Sequence, residues 1–149
     1  MTTGALPAAT VYADSSFFVS LYLPDRHTPE VERWLASRPS IWMTPLHLAE
    51  FTHAVEQHVF RGAITRLDGD SALQRFHEHL DRNLWRVAPL PDQAFETCVQ
   101  LAKRHAAKLG VRTLDSLHVA SALELKAEHF WTFDLRQVAL ARAVGLKTS

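Results

Sequence analysis

Residues 112–123 (RTLDSLHVASAL) constrain the fold more than any other stretch, because they read as a helix that is apolar on nearly every face yet carries a carboxylate in its first turn. Gly110 ends whatever precedes it, Thr113 can cap the new helix, and Leu114, Leu117, Val119, Ala120, Ala122, Leu123 and Leu125 spread around it. A helix apolar on all sides is buried. Asp115 is then an anomaly, since removing a carboxylate from water is costly unless a charge or dipole compensates. Its place at the positive helix N-terminus supplies part of that compensation. Taken alone, Asp115 is an ordinary first-turn acid. The remaining acids decide whether it is more.

In chain order, residues 10–13 (TVYA) form a short β-prone run that ends at Asp14, and residues 15–23 are apolar enough for a buried helix stopped by Pro24. A second helix covers 28–37, with Pro29 at its first position. Ile41, Trp42 and Met43 make a second strand. Thr44 as cap, Pro45 at the first helical position and Gly62 beyond the end frame a helix over 45–61 with the stripe Leu48, Phe51, Val55, Val59. Glu50 lies beside that stripe. Another amphipathic helix covers 65–82, a third strand 84–87, and a long helix runs from Pro91 to Gly110. The Asp115 helix follows. Residues 129–133 (HFWTF) are the fourth strand with Asp134 directly after it, residues 135–144 are helical, and 146–148 can add an edge strand. Strands alternating with helices of this length imply right-handed crossovers. The fold class is therefore α/β, a mainly parallel sheet covered on both faces.

The chain has 149 residues, enough to bury about 70% of its unfolded surface around one core, and 47% of them are apolar, so a single ordered domain over 1–149 with a core near 10–148 is expected. The single Cys98 rules out an internal disulfide or a cysteine metal cage and fits a reducing cytoplasm. The apolar run 17–23 is short and preceded by Asp14 instead of a basic segment, so it does not read as a secretion signal, and no run is long enough to span a membrane. Sixteen basic and sixteen acidic residues give zero formal charge, so an anionic partner has to be held locally.

Ligands of parallel α/β sheets gather beyond the carboxyl ends of the strands. Asp14 and Asp134 each follow a strand, Glu50 lies early in a helix leaving another, and Asp115 begins a helix antiparallel to the strands, so all four acids are expected at one rim. Singly, Asp14 and Asp134 are helix caps and Glu50 a solvated helix residue. Jointly they repel: two such charges about 4 Å apart cost roughly 4 kcal/mol at an effective dielectric near 20. Something positive must sit among them. Oxygen-only ligands suit a hard divalent cation, Mg²⁺ or Mn²⁺. Thr132, two residues before Asp134 on the same strand face, can hold a water at such an ion, and Ser15 is a weaker candidate. An ion in this setting supports phosphodiester hydrolysis.

These residues resemble the signatures of PIN-domain ribonucleases: Asp14 followed by Ser15 and Ser16, Glu50 within LAEF, Asp115 within LDSLHVA, and Asp134 closing TFD nineteen positions later. The similarity is greatest to VapC-type toxins of bacterial toxin–antitoxin pairs and covers residues 11–146. The resemblance implies a three-layer α/β/α fold and Mg²⁺- or Mn²⁺-dependent endoribonuclease activity. It also implies a homodimer restrained by a small VapB-like antitoxin. Asp14, Glu50, Asp115 and Asp134 are then the catalytic and metal-binding acids, supported by Thr132 and Ser15.

Other features carry less. His47 and His53 are six positions apart, on different sides of one helix, which does not suit zinc. His118 reads as helical packing. Arg104, Lys108 and Arg112 form either a solvated helix end or a rim that guides RNA phosphates. Trp34, Phe60, Phe76 and Leu80 belong to the core or to a partner surface. The competing functions are a catalytically idle PIN-like module that binds RNA or protein, and a phosphotransfer or phosphatase domain with Asp at strand ends. The second lacks its motifs, because residue 16 is Ser and no late strand ends in Lys.

Overall fold

The computed structural model describes residues 8–149; the first seven residues of the expected domain lie outside them. Five parallel strands form one sheet in the order β3-β2-β1-β4-β5, with β1 Thr10–Ala13, β2 Ser40–Met43, β3 Arg86–Val87, β4 His129–Trp131 and β5 Lys147–Thr148. The expected alternation holds, and the sheet is wholly parallel. Among the described residues eight α-helices connect the strands: α1 Ser15–Tyr22, α2 Thr28–Leu35, α3 Pro45–Phe60, α4 Arg66–Asp81, α5 Ala94–Leu101, α6 Ala107–Leu109, α7 Thr113–Glu124 and α8 Leu135–Ala143.

Alternation along the strands divides the core into two layers. Val11, Ala13, Ile41, Met43 and Trp131 face one cluster with Phe17, Phe18, Val31, Phe51 and Phe76, which α1 to α4 contribute. Tyr12 and Phe130 face the other, where Leu117, Val119, Ala120, Cys98 and Leu140 bring in α5, α7 and α8. This is a three-layer α/β/α arrangement with the sheet between two apolar clusters.

Local differences from the sequence reading have physical causes. β4 ends at Trp131, because the Thr132 hydroxyl accepts from the Asp134 amide (3.1 Å) and turns the backbone out of the ladder. β3 is only Arg86–Val87. The helix expected without a break up to Gly110 widens into a π-helical turn over Ala102–Ala106 between α5 and α6, and Gly110 then ends it at φ 70°, a left-handed conformation that suits glycine. In α7 every residue from Ser116 to Ala122 is buried, whereas Leu114 is half exposed, so the helix enters the core only after its first turn.

The four residues read as core or partner surface divide. Phe76 is fully buried and stacks on Phe51 with ring centroids 4.4 Å apart. Trp34 is half-buried and stacks on Trp131 and Phe133, and Leu80 packs against the same cluster. Phe60 is 91% exposed. Phe76→Ala is expected to cost about 3–5 kcal/mol in urea unfolding, and a cost below about 1 kcal/mol would contradict this packing.

Candidate functional site

Parallel strands release their chains at one edge, and the helices that follow begin there. Asp14 is the N-cap of α1: its Oδ2 accepts from the Ser16 hydroxyl (2.7 Å) and amide (3.3 Å). The Asp14 amide donates to the Trp131 carbonyl (2.9 Å), which ties β1 to β4 at the point where both end. Asp134 is the N-cap of α8, and its Oδ1 accepts from the amides of Arg136 (2.8 Å) and Gln137 (3.3 Å). Both aspartates are thus helix caps as well as strand-end acids. Asp115 is in the first turn of α7, with its Oδ2 3.5 Å from Arg112 Nε. Glu50 is in the second turn of α3, away from any helix terminus.

Two buried residues tie these acids together. Gln137 donates from Nε2 to the Asp115 carbonyl (3.2 Å) and lies 3.5 Å from Asp14 Oδ1, while its amide bonds Asp134. Its Oε1 accepts from the Thr132 hydroxyl (2.6 Å). The Thr132 proton, expected to serve a water at an ion, is committed to this contact. His118 bonds Glu50 Oε1 through Nε2 and the Tyr12 hydroxyl through Nδ1 (2.6 Å), and Nε2 lies 3.8 Å from Asp14 Oδ1. Ser15 donates to the same Glu50 oxygen (2.9 Å). Since Glu50 can only accept, His118 donates to it from Nε2, while Nδ1 faces the Tyr12 hydroxyl.

His118 and Gln137 are the residues that the sequence reading missed. Each is a polar residue at a core position of its helix, His118 within the wholly buried stretch of α7 and Gln137 on the α8 face shared with Leu140 and Ala141. That conflict with its surroundings was the available signal. His47 is also buried and structural: Nδ1 accepts from the Thr44 amide (3.1 Å) and Nε2 donates to the Ala13 carbonyl (2.8 Å), fixing α3 against the end of β1. His53 is exposed, whereas both nitrogens of His47 are already engaged.

The electrostatics follow from these contacts. Burial acts to raise the Glu50 carboxyl, but the hydrogen bond and charge of His118, with the Ser15 hydroxyl, outweigh it and hold Glu50 below the ordinary carboxylate range. Burial keeps the Tyr12 phenol protonated. Burial and the neighbouring His118 push His47 down to about 3, against a smaller opposing effect from its bond to Ala13.

Oxygen donors dominate the edge. Among the described residues, Glu50 Oε2, Asp115 Oδ1 and Asp134 Oδ2 have no hydrogen-bond partner. That donor chemistry suits a hard cation. Yet among the described residues no three His, Cys, Asp or Glu side chains stand as a ready ligand group. Arg112, whose side chain is 83% exposed, borders the acids. It lines a cleft of about 680 Å³ with Leu46, Glu50, His53, Gln57 and Leu114. Arg104 instead lines a separate cleft with Glu96, His105 and Val144, and Lys108 is exposed.

The PIN-domain family model matches residues 11–143, which contain both layers of the core and all four acids. The chain belongs to the PIN-domain family. No curated protein matches this PIN domain in sequence. Solved structures share its fold at low identity. VapC20 of Mycobacterium tuberculosis, described as a sarcin–ricin loop cleaving toxin, is 17% identical with a TM-score of 0.67, over 91% of this chain and 95% of that one. VapBC2 from Rickettsia felis, bound to a DNA fragment from its promoter, is 16% identical with a TM-score of 0.63, over 94% and 97%. FitAcB from Neisseria gonorrhoeae is 18% identical with a TM-score of 0.64, over 93% and 95%.

Two outcomes test the site's construction. Asp134→Asn should leave stability nearly unchanged, because Asn caps as well as Asp, whereas Asp134→Ala should cost about 0.5–2 kcal/mol; equal effects would remove the cap from the account. His47 is neutral in the fold and free to protonate when unfolded. Its contribution is therefore complete above about pH 6.5 and is lost as pH falls toward about 3. Urea unfolding across that window should show falling stability, with a shallower slope in His47→Gln; identical slopes would contradict the burial of this imidazole.

Proposed function

We propose that this PIN domain is a Mg²⁺- or Mn²⁺-dependent endoribonuclease and the toxin component of a VapBC-type toxin–antitoxin pair, acting in the cytoplasm. The carrying observation is the gathering of Asp14, Glu50, Asp115 and Asp134 at one sheet edge, linked through His118 and Gln137. Membership in the PIN family supports the nuclease reading, and the toxin–antitoxin neighbours support the biological setting.

Asp14, Asp115 and Asp134, with Glu50 completing the set, would hold the ion, which supplies positive charge to the phosphodiester and stabilises the charge that develops during in-line displacement. Gln137 orients Asp14 and the first turn of α7. Glu50, held through one oxygen by His118 and Ser15, keeps the other free for that set. Arg112 can meet a substrate phosphate at the rim, whereas Arg104 and Lys108 would touch RNA only farther along the strand.

The partners follow the same reading: RNA as substrate, a second copy of the chain in a homodimer, and a small VapB-like antitoxin. A cation from the antitoxin, placed among the acids, would satisfy the charge that an ion otherwise satisfies. Phe60 and Leu67, exposed where α3 meets α4, offer an apolar surface for the rest of that partner. No helix among the described residues is long and apolar enough to cross a membrane.

A binding module without turnover is the second reading, favoured by the capping roles of Asp14 and Asp134 and the absence of a ready ligand group among the described residues. Purified protein free of antitoxin separates the two. Nuclease action predicts cleavage of single-stranded or looped RNA with Mg²⁺ or Mn²⁺ and none with EDTA. Asp14→Asn, Asp115→Asn and Asp134→Asn should each lower the rate by about a hundredfold or more. Cleavage undiminished in EDTA, with contaminating nucleases excluded, sinks the metal mechanism; no cleavage with either metal favours the idle module.

A further inference from the structure

We infer that His118, backed by Tyr12, is the positioning residue for Glu50. This rests on the nuclease reading for its functional meaning, though not for its physical content. Asp14 and Asp134 are short side chains fixed by the helix amides that they cap, and Asp115 sits in the first turn of α7. Glu50 has no such support. It is a longer side chain in the second turn of α3, 27% exposed, and losing its rotamer freedom requires contacts of its own.

Those contacts come from one place. The side chain of His118 is 1% exposed, in a stretch of α7 where Leu or Ala would satisfy packing alone. Both of its nitrogens are engaged, with Tyr12 of β1 at one end and Glu50 of α3 at the other. Ser15, at the start of α1, donates to the same Glu50 oxygen and stands 3.3 Å from His118 Nε2. Donors from two helices thus fix Oε1, while Oε2 has no partner among the described residues. Tyr12 lies two residues before Asp14, and His118 three residues after Asp115, so the tether gauges Glu50 against the elements that carry the other acids.

Residue type matters here. A Lys or Arg could also donate, but on a long flexible stem that loses more rotamer freedom. An imidazole ring held between Tyr12 and Glu50 gives a rigid, directional donor. Histidine is therefore a functional choice within a core helix.

The test is a double-mutant cycle of His118→Leu and Glu50→Ala, read by urea unfolding in EDTA so that it does not depend on cleavage. A tether predicts coupling of about fivefold or more in the unfolding equilibrium constant. Additive effects overturn it. In RNA cleavage with Mg²⁺, His118→Leu should lower kcat by about tenfold or more with KM within about twofold, and His118→Gln, whose amide can still donate to Glu50, should recover part of the loss. Equal kcat for the Leu and Gln variants makes His118 a packing residue and overturns the proposal. Should His118→Leu fail to fold, Tyr12→Phe replaces it in the same cycle with the same criteria. A wild type that cleaves no RNA defeats the nuclease reading, and the coupling in EDTA alone then decides the tether.

Discussion

The structure depends on a wholly parallel sheet that ends all its strands at one edge, where α1, α3, α7 and α8 begin. The positive ends of these helices point at the same region, and it is there that the chain places its acids. A carboxylate at such a site is stabilised by amides and dipoles before any partner arrives. Asp14 and Asp134 use that support directly, as caps. The bond from the Asp14 amide to the Trp131 carbonyl joins the two central strands where they stop, so the acids share one rigid floor. The folding requirement and the functional reading thus draw on the same geometry.

Repulsion among the four acids is handled by distributing it. Each carboxylate has its own partner: helix amides for Asp14 and Asp134, Arg112 for Asp115, His118 and Ser15 for Glu50. Gln137 and His118 then connect what would otherwise be four separate sites. The oxygens left without partners suit a hard cation, so the edge can be stable by itself and still gain from a positive charge.

The alternation of short strands with amphipathic helices was legible in the sequence, since periodicity and caps mark each element locally. So was the placement of the acids, because parallel topology fixes where strand ends and helix starts must lie. The stop of β4 before Thr132 was not, as it depends on a side-chain bond to the Asp134 amide. His118 looked like packing for a related reason: its partners, Tyr12 and Glu50, are 106 and 68 positions away, and only the fold brings them together. Gln137 and His47 were hidden in the same way. A polar residue within an apolar helix signals a buried partner elsewhere in the chain.

The central claim is that the acid edge receives a divalent cation. The most direct measurement is anomalous diffraction from crystals of the protein soaked in Mn²⁺. The account predicts a peak at the carboxyl edge of the sheet, with oxygens of Asp14, Asp115 and Asp134 as ligands and Gln137 still bonded to the Asp115 carbonyl. Anomalous density absent from that edge in well-diffracting soaked crystals, with the four acids still held by their present partners, would contradict it.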